Sequence, residues 1–264
     1  MELHLAAKPV IVTGGGAGIG AAIALLLARE GAIPVRFERN RLDADFEAAL
    51  RAAQPRNLVF RLDVRDDAAC AQAVGDTVQA LGSIGGLVNN AAANDHVGLD
   101  AGTAAFNASL QLNLVSAYRL AHLCVPHLRL SRGAIVNIGS KTAVTGQGGS
   151  NAYVAAKAGI LGLTREWALE LARDGIRVNC VIPAETWTPM YASEMARMPN
   201  PAAARARIER HIPLGQRMTT ADEIARAVVF HLSDAASHTT GQWLFVDGGY
   251  THLDRMAGVP TTWA

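Results

Sequence analysis

The chain has 264 residues, half of them apolar. That is enough for one large α/β domain or two small ones, and it excludes a globally disordered chain. Lys plus Arg number 24 and Asp plus Glu 23, so the formal net charge of +1 leaves no basic field for nucleic acid and no acidic field for a basic partner. The early apolar run from Ala21 to Ala28 stops at Arg29, far short of the roughly 20 residues of a membrane span. Residues 1–8 lack the apolar core of a signal peptide, so a cytoplasmic location is expected. Cys70, Cys124 and Cys180 are an odd number at wide spacing, which speaks against a disulfide framework and a zinc cluster, and no metal is expected.

In chain order, Pro9–Thr13 is a short apolar run stopped by glycines and reads as a buried strand. Helical spacing follows from Gly18 to Glu30, with Gly31 placed to close the helix. Strands are expected over Ile33–Phe37 and Asn57–Leu62, then a helix over Asp66–Leu81 that opens on acids, as the helix dipole favours. Gly86–Asn89 reads as a strand, and Ala104–Leu130 as a long helix that Pro126 kinks or ends. Then come a strand over Ala134–Ile138, a helix over Asn151–Arg173 closed by Gly175, a strand over Arg177–Ile182, a helix over Asp222–Leu232 and a last strand over Trp243–Val246. Alternating helices and two-sided apolar strands predict one doubly wound parallel sheet, a Rossmann-type α/β fold, covered by helices on both faces. Met190–Pro213, with three prolines and several arginines, stands outside the alternation. It fits a substrate-covering insert, a surface helix pair or a plain connection, and the covering segment is taken as residues 184–215.

Between the first strand and helix lies Thr13-Gly14-Gly15-Gly16-Ala17-Gly18-Ile19-Gly20. Glycine permits a tight turn and lets a pyrophosphate approach the backbone, and the helix N-terminus offers unpaired N–H groups. Glu38 falls 20 residues after Gly18, the spacing of an acid that accepts the adenosine ribose hydroxyls. A carboxylate there repels a 2′-phosphate and favours NAD; Arg39 beside it can pair with that phosphate and keeps NADP open.

Tyr153 and Lys157 stand four apart near the start of a long helix and share a face. An ammonium beside a phenol favours the phenolate, a usable base for an alcohol proton. Taken alone, the spacing occurs often by chance and fits a solvated helix face better. Ser140, just past the strand Ala134–Ile138, adds a hydroxyl at a carboxyl end, where ligands bind in such sheets.

With these residues in view, the sequence resembles the short-chain dehydrogenase/reductase family over nearly its whole length. The glycine loop matches Thr-Gly-x-x-x-Gly-x-Gly; Asp63-Val64 matches the adenine-binding pair; Asn89-Asn90-Ala91-Ala92 resembles Asn-Asn-Ala-Gly, with Ala92 in place of glycine. Asn113, Ser140, Tyr153 and Lys157 match the catalytic tetrad. The resemblance implies that Tyr153 is the acid/base and that Ser140 orients the substrate oxygen. It further implies that Lys157 holds the nicotinamide ribose and lowers the Tyr pKa, and that Asn113 supports a proton-relay water. It implies a cofactor site of Gly14, Gly18, Ile19, Gly20, Glu38, Arg39, Asp63, Val64, Asn89, Ala91, Tyr153, Lys157, Pro183, Thr186 and Thr188, with Thr188 on the nicotinamide carboxamide.

Where the family has Pro-Gly after the sixth strand, this chain reads Pro183-Ala184-Glu185-Thr186-Trp187-Thr188. A carboxylate near an aromatic suits a sugar, one accepting hydroxyls and the other covering an apolar face. This stretch, residues 140–148 and residues 246–255 resemble bacterial L-fucose dehydrogenases within the family. The implied substrate is L-fucose or a related aldopyranose oxidised at C1, with Ser140, Lys141, Gln147, Tyr153, Glu185, Trp187 and His96 around it. A hydroxysteroid or 3-oxoacyl reductase and a non-catalytic cofactor sensor are the alternatives. The resemblance also implies a homotetramer in which the tail from Tyr250 to Ala264 packs against a neighbour.

Overall fold

The computed structural model describes residues 2–253. The elements run β1 (Pro9–Thr13), α1 (Gly18–Arg29), β2 (Ile33–Glu38), α2 (Ala44–Ala53), β3 (Leu58–Arg61), α3 (Asp67–Leu81), β4 (Gly86–Asn89), α4 (Gly102–Leu110) and α5 (Ser116–Ser131). They continue with β5 (Ala134–Ile138), α6 (Thr142–Thr145), α7 (Asn151–Glu170), β6 (Arg177–Pro183), β7 (Thr186–Trp187), α8 (Pro189–Ala196), α9 (Pro201–Glu209), β8 (Thr219–Thr220), α10 (Ala221–Leu232) and β9 (Trp243–Val246).

Seven strands form one parallel sheet in the order β3-β2-β1-β4-β5-β6-β9; β7 and β8 pair separately. Strand side chains alternate between faces. Ile11, Leu87, Ile135 and Val178 enter a core with Cys70, Val74, Leu120, Cys124 and Trp167 of α3, α5 and α7. Val10, Val12, Val88, Val136 and Val181 enter the other with Ile23 and Leu27 of α1 and Ile224 and Val228 of α10. Both faces are thus covered, which is why the strands are apolar throughout. The chain goes one way from β1 to β2 and the other way to β4, so a crevice opens at their carboxyl ends.

Two details depart from the sequence expectation, and a third settles on one of the alternatives it left open. Residues 44–53 form α2, capped by Asp43, whose side chain accepts from Phe46 N at 2.9 Å. The long helix expected over residues 104–130 is α4, a π-turn over Gln111–Val115, then α5, which runs through Pro126 to Ser131. Met190–Pro213 holds the helix pair α8 and α9, closed on a small core of Met195, Ile212 and Met218 with Tyr191 and Tyr250. Most of the tail singled out above, from residue 254 on, lies outside the described residues. Among the described residues no helix is long and apolar enough to cross a membrane, and no group of side chains could hold a metal ion. All three cysteines are buried and free.

Candidate active site

Five strand ends supply the site. After β1, Gly14 adopts φ +63°, and a Cβ on Gly20 would stand 2.0 Å from Gly14 O, so the first turn of α1 crosses the loop where only glycine fits. Asn90 Nδ2 donates to Thr13 O at 2.9 Å and Gly14 O at 3.2 Å; Thr13 Oγ1 accepts from Asn90 N and Ala91 N, both at 2.9 Å. Asn90 therefore fastens the glycine loop to β4. Its place in the Asn-Asn pair was the available signal, yet its role is read only from these bonds. No side chain caps α1, so its first N–H groups are left for a ligand.

Glu38 closes β2. Its Oε2 accepts from Gly16 N at 2.8 Å, and its Oε1 accepts from Arg39 N and Asn40 N at 3.0 and 3.2 Å. The carboxylate thus sits against the glycine loop. The Arg39 side chain is mostly exposed and turns to Asp63, 4.0 Å away. Asp63 also takes Arg65 Nη2 at 2.6 Å, and the Arg65 hydrogen bonds hold its carboxyl down at about 2. Beneath the loop, the fully buried Arg36 pairs with Glu47 of α2, its Nη2 also reaching Asn57 Oδ1 at 3.2 Å. Gly15 rests on the Arg36 stem, where a Cβ would stand 2.7 Å from Cγ.

Asn113 lies in the π-turn and is buried. Its Oδ1 accepts from Ala93 N at 2.9 Å and its Nδ2 donates to Ser109 O at 3.1 Å. The extra residue in the helical ladder brings this amide against the loop after β4. Ser140 follows β5; its Oγ accepts from Thr142 Oγ1 at 3.0 Å. Tyr153 and Lys157 project from α7. Burial raises the Tyr153 pKa, and a hydrogen bond with Ser140 works against that rise. The Lys157 ammonium lies 5.7 Å from the Tyr153 ring centre and donates to Ile138 O at 2.7 Å. Burial lowers its pKa to about 8. In this structure Ser140, not Lys157, is the group that pulls the phenol downward.

After β6, Thr188 caps α8, accepting from Tyr191 N at 3.2 Å, and lies against Gly18, whose Cβ would meet it at 3.4 Å. Thr186 Oγ1 and Asn89 Oδ1 are buried without a protein partner. Glu185 Oε1 accepts from Lys141 Nζ and Oε2 from the Tyr191 hydroxyl, the latter at 2.6 Å. The carboxylate expected to hold a sugar is therefore already engaged on both oxygens. Trp187 is partly exposed, with the Arg205 guanidinium 4.1 Å over its ring. Gln147 and His96 are exposed on loops after β5 and β4. An open groove of about 650 Å³ beside Leu214, Phe245 and Leu253 is lined by none of the tetrad.

An uncapped helix N-terminus, a glycine cradle and two orphaned buried oxygens at strand ends fit a dinucleotide. A family model described as enoyl-(acyl carrier protein) reductase matches residues 14–251. The L-fucose dehydrogenase of Bos taurus is 36% identical over 254 residues, 94% of this chain and 91% of that protein. The chain belongs to the short-chain dehydrogenase/reductase family. It is an oxidoreductase of CH–OH groups, and membership implies a nicotinamide cofactor. A 3-oxoacyl-[acyl-carrier-protein] reductase of Thermotoga maritima is 34% identical, covering 94% of this chain and 99% of its own length. The Cj0485 dehydrogenase crystal structure superposes with a TM-score of 0.94 at 41% identity, covering 97% of this chain and 98% of that one. The ligand-free Thermoplasma acidophilum aldohexose dehydrogenase gives 0.86 at 28% identity, covering 96% and 98%. The L-fucose dehydrogenases among these relatives are mammalian, where the sequence reading pointed to bacterial ones.

Proposed function

We propose that this dehydrogenase oxidises L-fucose, or a related aldopyranose, at C1 to the aldonolactone, with NAD preferred over NADP. The observation that carries the chemistry is the Ser140–Tyr153–Lys157 group beside the glycine loop, with Asn113 held by the π-turn. Glycine-loop N–H groups and Glu38 would hold the dinucleotide, with Thr186 Oγ1 and Asn89 Oδ1 as further partners. When bound, the nicotinamide supplies the hydride acceptor. Tyr153 Oη takes the proton of the anomeric hydroxyl, and Ser140 Oγ donates to the same oxygen, holding it within reach. The Ser140 hydrogen bond favours the phenolate that forms, and Lys157 would hold the nicotinamide ribose. Residues 184–215 cover the sugar, with Trp187 toward an apolar sugar face and Gln147 and His96 at the mouth.

The sugar is supported by the likeness to L-fucose and aldohexose dehydrogenases. NAD is supported by the Glu38 carboxylate against Gly16 and by Arg39 turning away to Asp63. The rival, a 3-oxoacyl reductase, is supported by the Thermotoga relative; assay of 3-oxoacyl thioesters beside aldoses separates the two. A homotetramer belongs to the same reading, supported by the exposed Tyr118 on α5 and Leu169 on α7; light scattering tests it. Tyr153→Phe keeps the ring and removes the proton acceptor. It should bind cofactor normally and lose about 10²- to 10⁴-fold in turnover. Near-normal turnover in that variant would remove Tyr153 from the mechanism.

A further inference from the structure

The carboxyl ends of β5 and β6 lie side by side, and the loops that leave them are zipped together. Gly139 N donates to Val181 O at 2.8 Å and Lys141 N to Pro183 O at 2.9 Å. Past Pro183 the backbones part and side chains continue the seam. Lys141 Nζ donates to Glu185 Oε1, the Tyr191 hydroxyl donates to Oε2 at 2.6 Å, and the Tyr250 ring covers the ammonium at 3.9 Å. Lys141 is 8% exposed, so the charge is shut between a carboxylate and an aromatic face. Glu185 O also accepts from Thr219 N at 2.9 Å, tying the same residue to the β7–β8 pair.

Lys141 is the residue after Ser140 and the N-cap of the turn that follows. Its carbonyl takes Val144 N and Thr145 N at 3.0 Å and Thr145 Oγ1 at 3.1 Å. Thr142, in that turn, donates to Ser140 Oγ from both N and Oγ1. Where the Lys141 side chain is anchored therefore sets where the Ser140 hydroxyl points.

We propose that Lys141, Glu185 and Tyr191 form a clamp that positions Ser140 and seats α8 against the catalytic strand ends, Glu185 acting on the reaction through Lys141 and not as a substrate ligand. All three are positioning residues. The clamp rests on the reading of the site as an alcohol dehydrogenase, but not on which alcohol is oxidised.

Five proteins test it: a four-protein cycle of wild type, Lys141→Met, Glu185→Met and the double variant, with Glu185→Gln beside it. Each is assayed with NAD and NADP on a panel of aldoses and cyclic alcohols, and each is melted. Glu185→Met leaves a buried ammonium unpaired. kcat should fall about 10²-fold, the scale of a small misplacement of a catalytic group, by a similar factor for every alcohol turned over, with KM little changed. The double variant removes both charges and should regain about tenfold of that loss, because an apolar pair leaves no buried charge unpaired. Glu185→Gln, which keeps an acceptor for Lys141, should stay within a fewfold of wild type. A double variant no better than Glu185→Met, or a loss confined to KM and to alcohols carrying one particular hydroxyl, would overturn the clamp. The melting cycle reads the pair without substrate: coupled single-variant effects support the clamp and additive ones overturn it. A wild type that oxidises cyclic alcohols and no aldose refutes the sugar, while the same four-protein comparison still decides the clamp.

Discussion

In the proposed reaction Ser140 serves Tyr153 in two ways, by aligning the substrate oxygen and by lowering the cost of the phenolate. Burial raises the Tyr153 pKa and the Ser140 hydrogen bond opposes it. Oxidation needs Tyr153 deprotonated, so its rate should climb with pH on the alkaline side. Ser140→Ala removes the opposing bond, and the limb of the kcat/KM profile should move to higher pH, with turnover lower at every pH. An unmoved limb would separate Ser140 from the ionisation of Tyr153. The second residue-scale prediction concerns the cofactor. Glu38 carries its charge where an adenosine ribose would lie, while the exposed Arg39 side chain turns to Asp63 and is free to swing back. Glu38→Ala removes the repulsion of a 2′-phosphate and leaves the guanidinium. NAD affinity should fall and the NADP/NAD ratio of kcat/KM should rise; a wild type already selective for NADP would reverse the reading of Glu38. Legible from sequence at this scale were the residue types of the tetrad and the glycine loop. Not legible was the engagement of Glu185, because Lys141 sits 44 residues away and meets it only where the loops after β5 and β6 run side by side.

At the scale of elements, the sequence pattern revealed the strands well, because β1, β2, β4, β5 and β6 are apolar on both faces. It missed α2, although Phe46, Leu50 and Ala53 recur at helical spacing and pack against Ala24 and Ala28 of α1. The π-turn escaped too. One extra residue shifts the apolar stripe by less than a turn, and the reason for it, Asn113 bonding to Ala93 and Ser109, is tertiary. Pro126 sits inside α5 without ending it. Near the end of α10, His231 is buried and neither ring nitrogen has a partner; Arg177 donates to its carbonyl at 2.6 Å. Burial, with the Arg177 charge beside it, lowers its pKa to about 4. The fold therefore holds His231 neutral while the unfolded chain takes a proton below about 6.5. Its contribution to stability is complete above that pH and is lost as pH falls toward 4, roughly 3 kcal/mol in all. His231→Leu should flatten the stability–pH curve across that window in urea melts at stepped pH. A curve as steep as wild type would assign the acid sensitivity to other groups.

The molecule as a whole is a two-faced sheet whose strand ends converge on one crevice. In the proposed function the dinucleotide side is built on β1, β2 and β4, and the chemical side on β5, β6 and α7. Between them the segment after β6 reaches both, since Thr188 lies against Gly18 while Glu185 is bound to Lys141. That placement ties the two halves through the four residues Glu185–Thr188. The helix pair α8–α9 was open in the sequence because its small core of Met195, Ile212 and Met218 is drawn from segments that only close together in space. The measurement that bears most directly on the proposed activity is the absorbance of reduced nicotinamide on mixing the purified protein with NAD and L-fucose. A rise that depends on both, faster with NAD than with NADP and abolished in Tyr153→Phe, is the expected result. Tight NAD binding with no reduced cofactor from L-fucose or any other aldopyranose would contradict it.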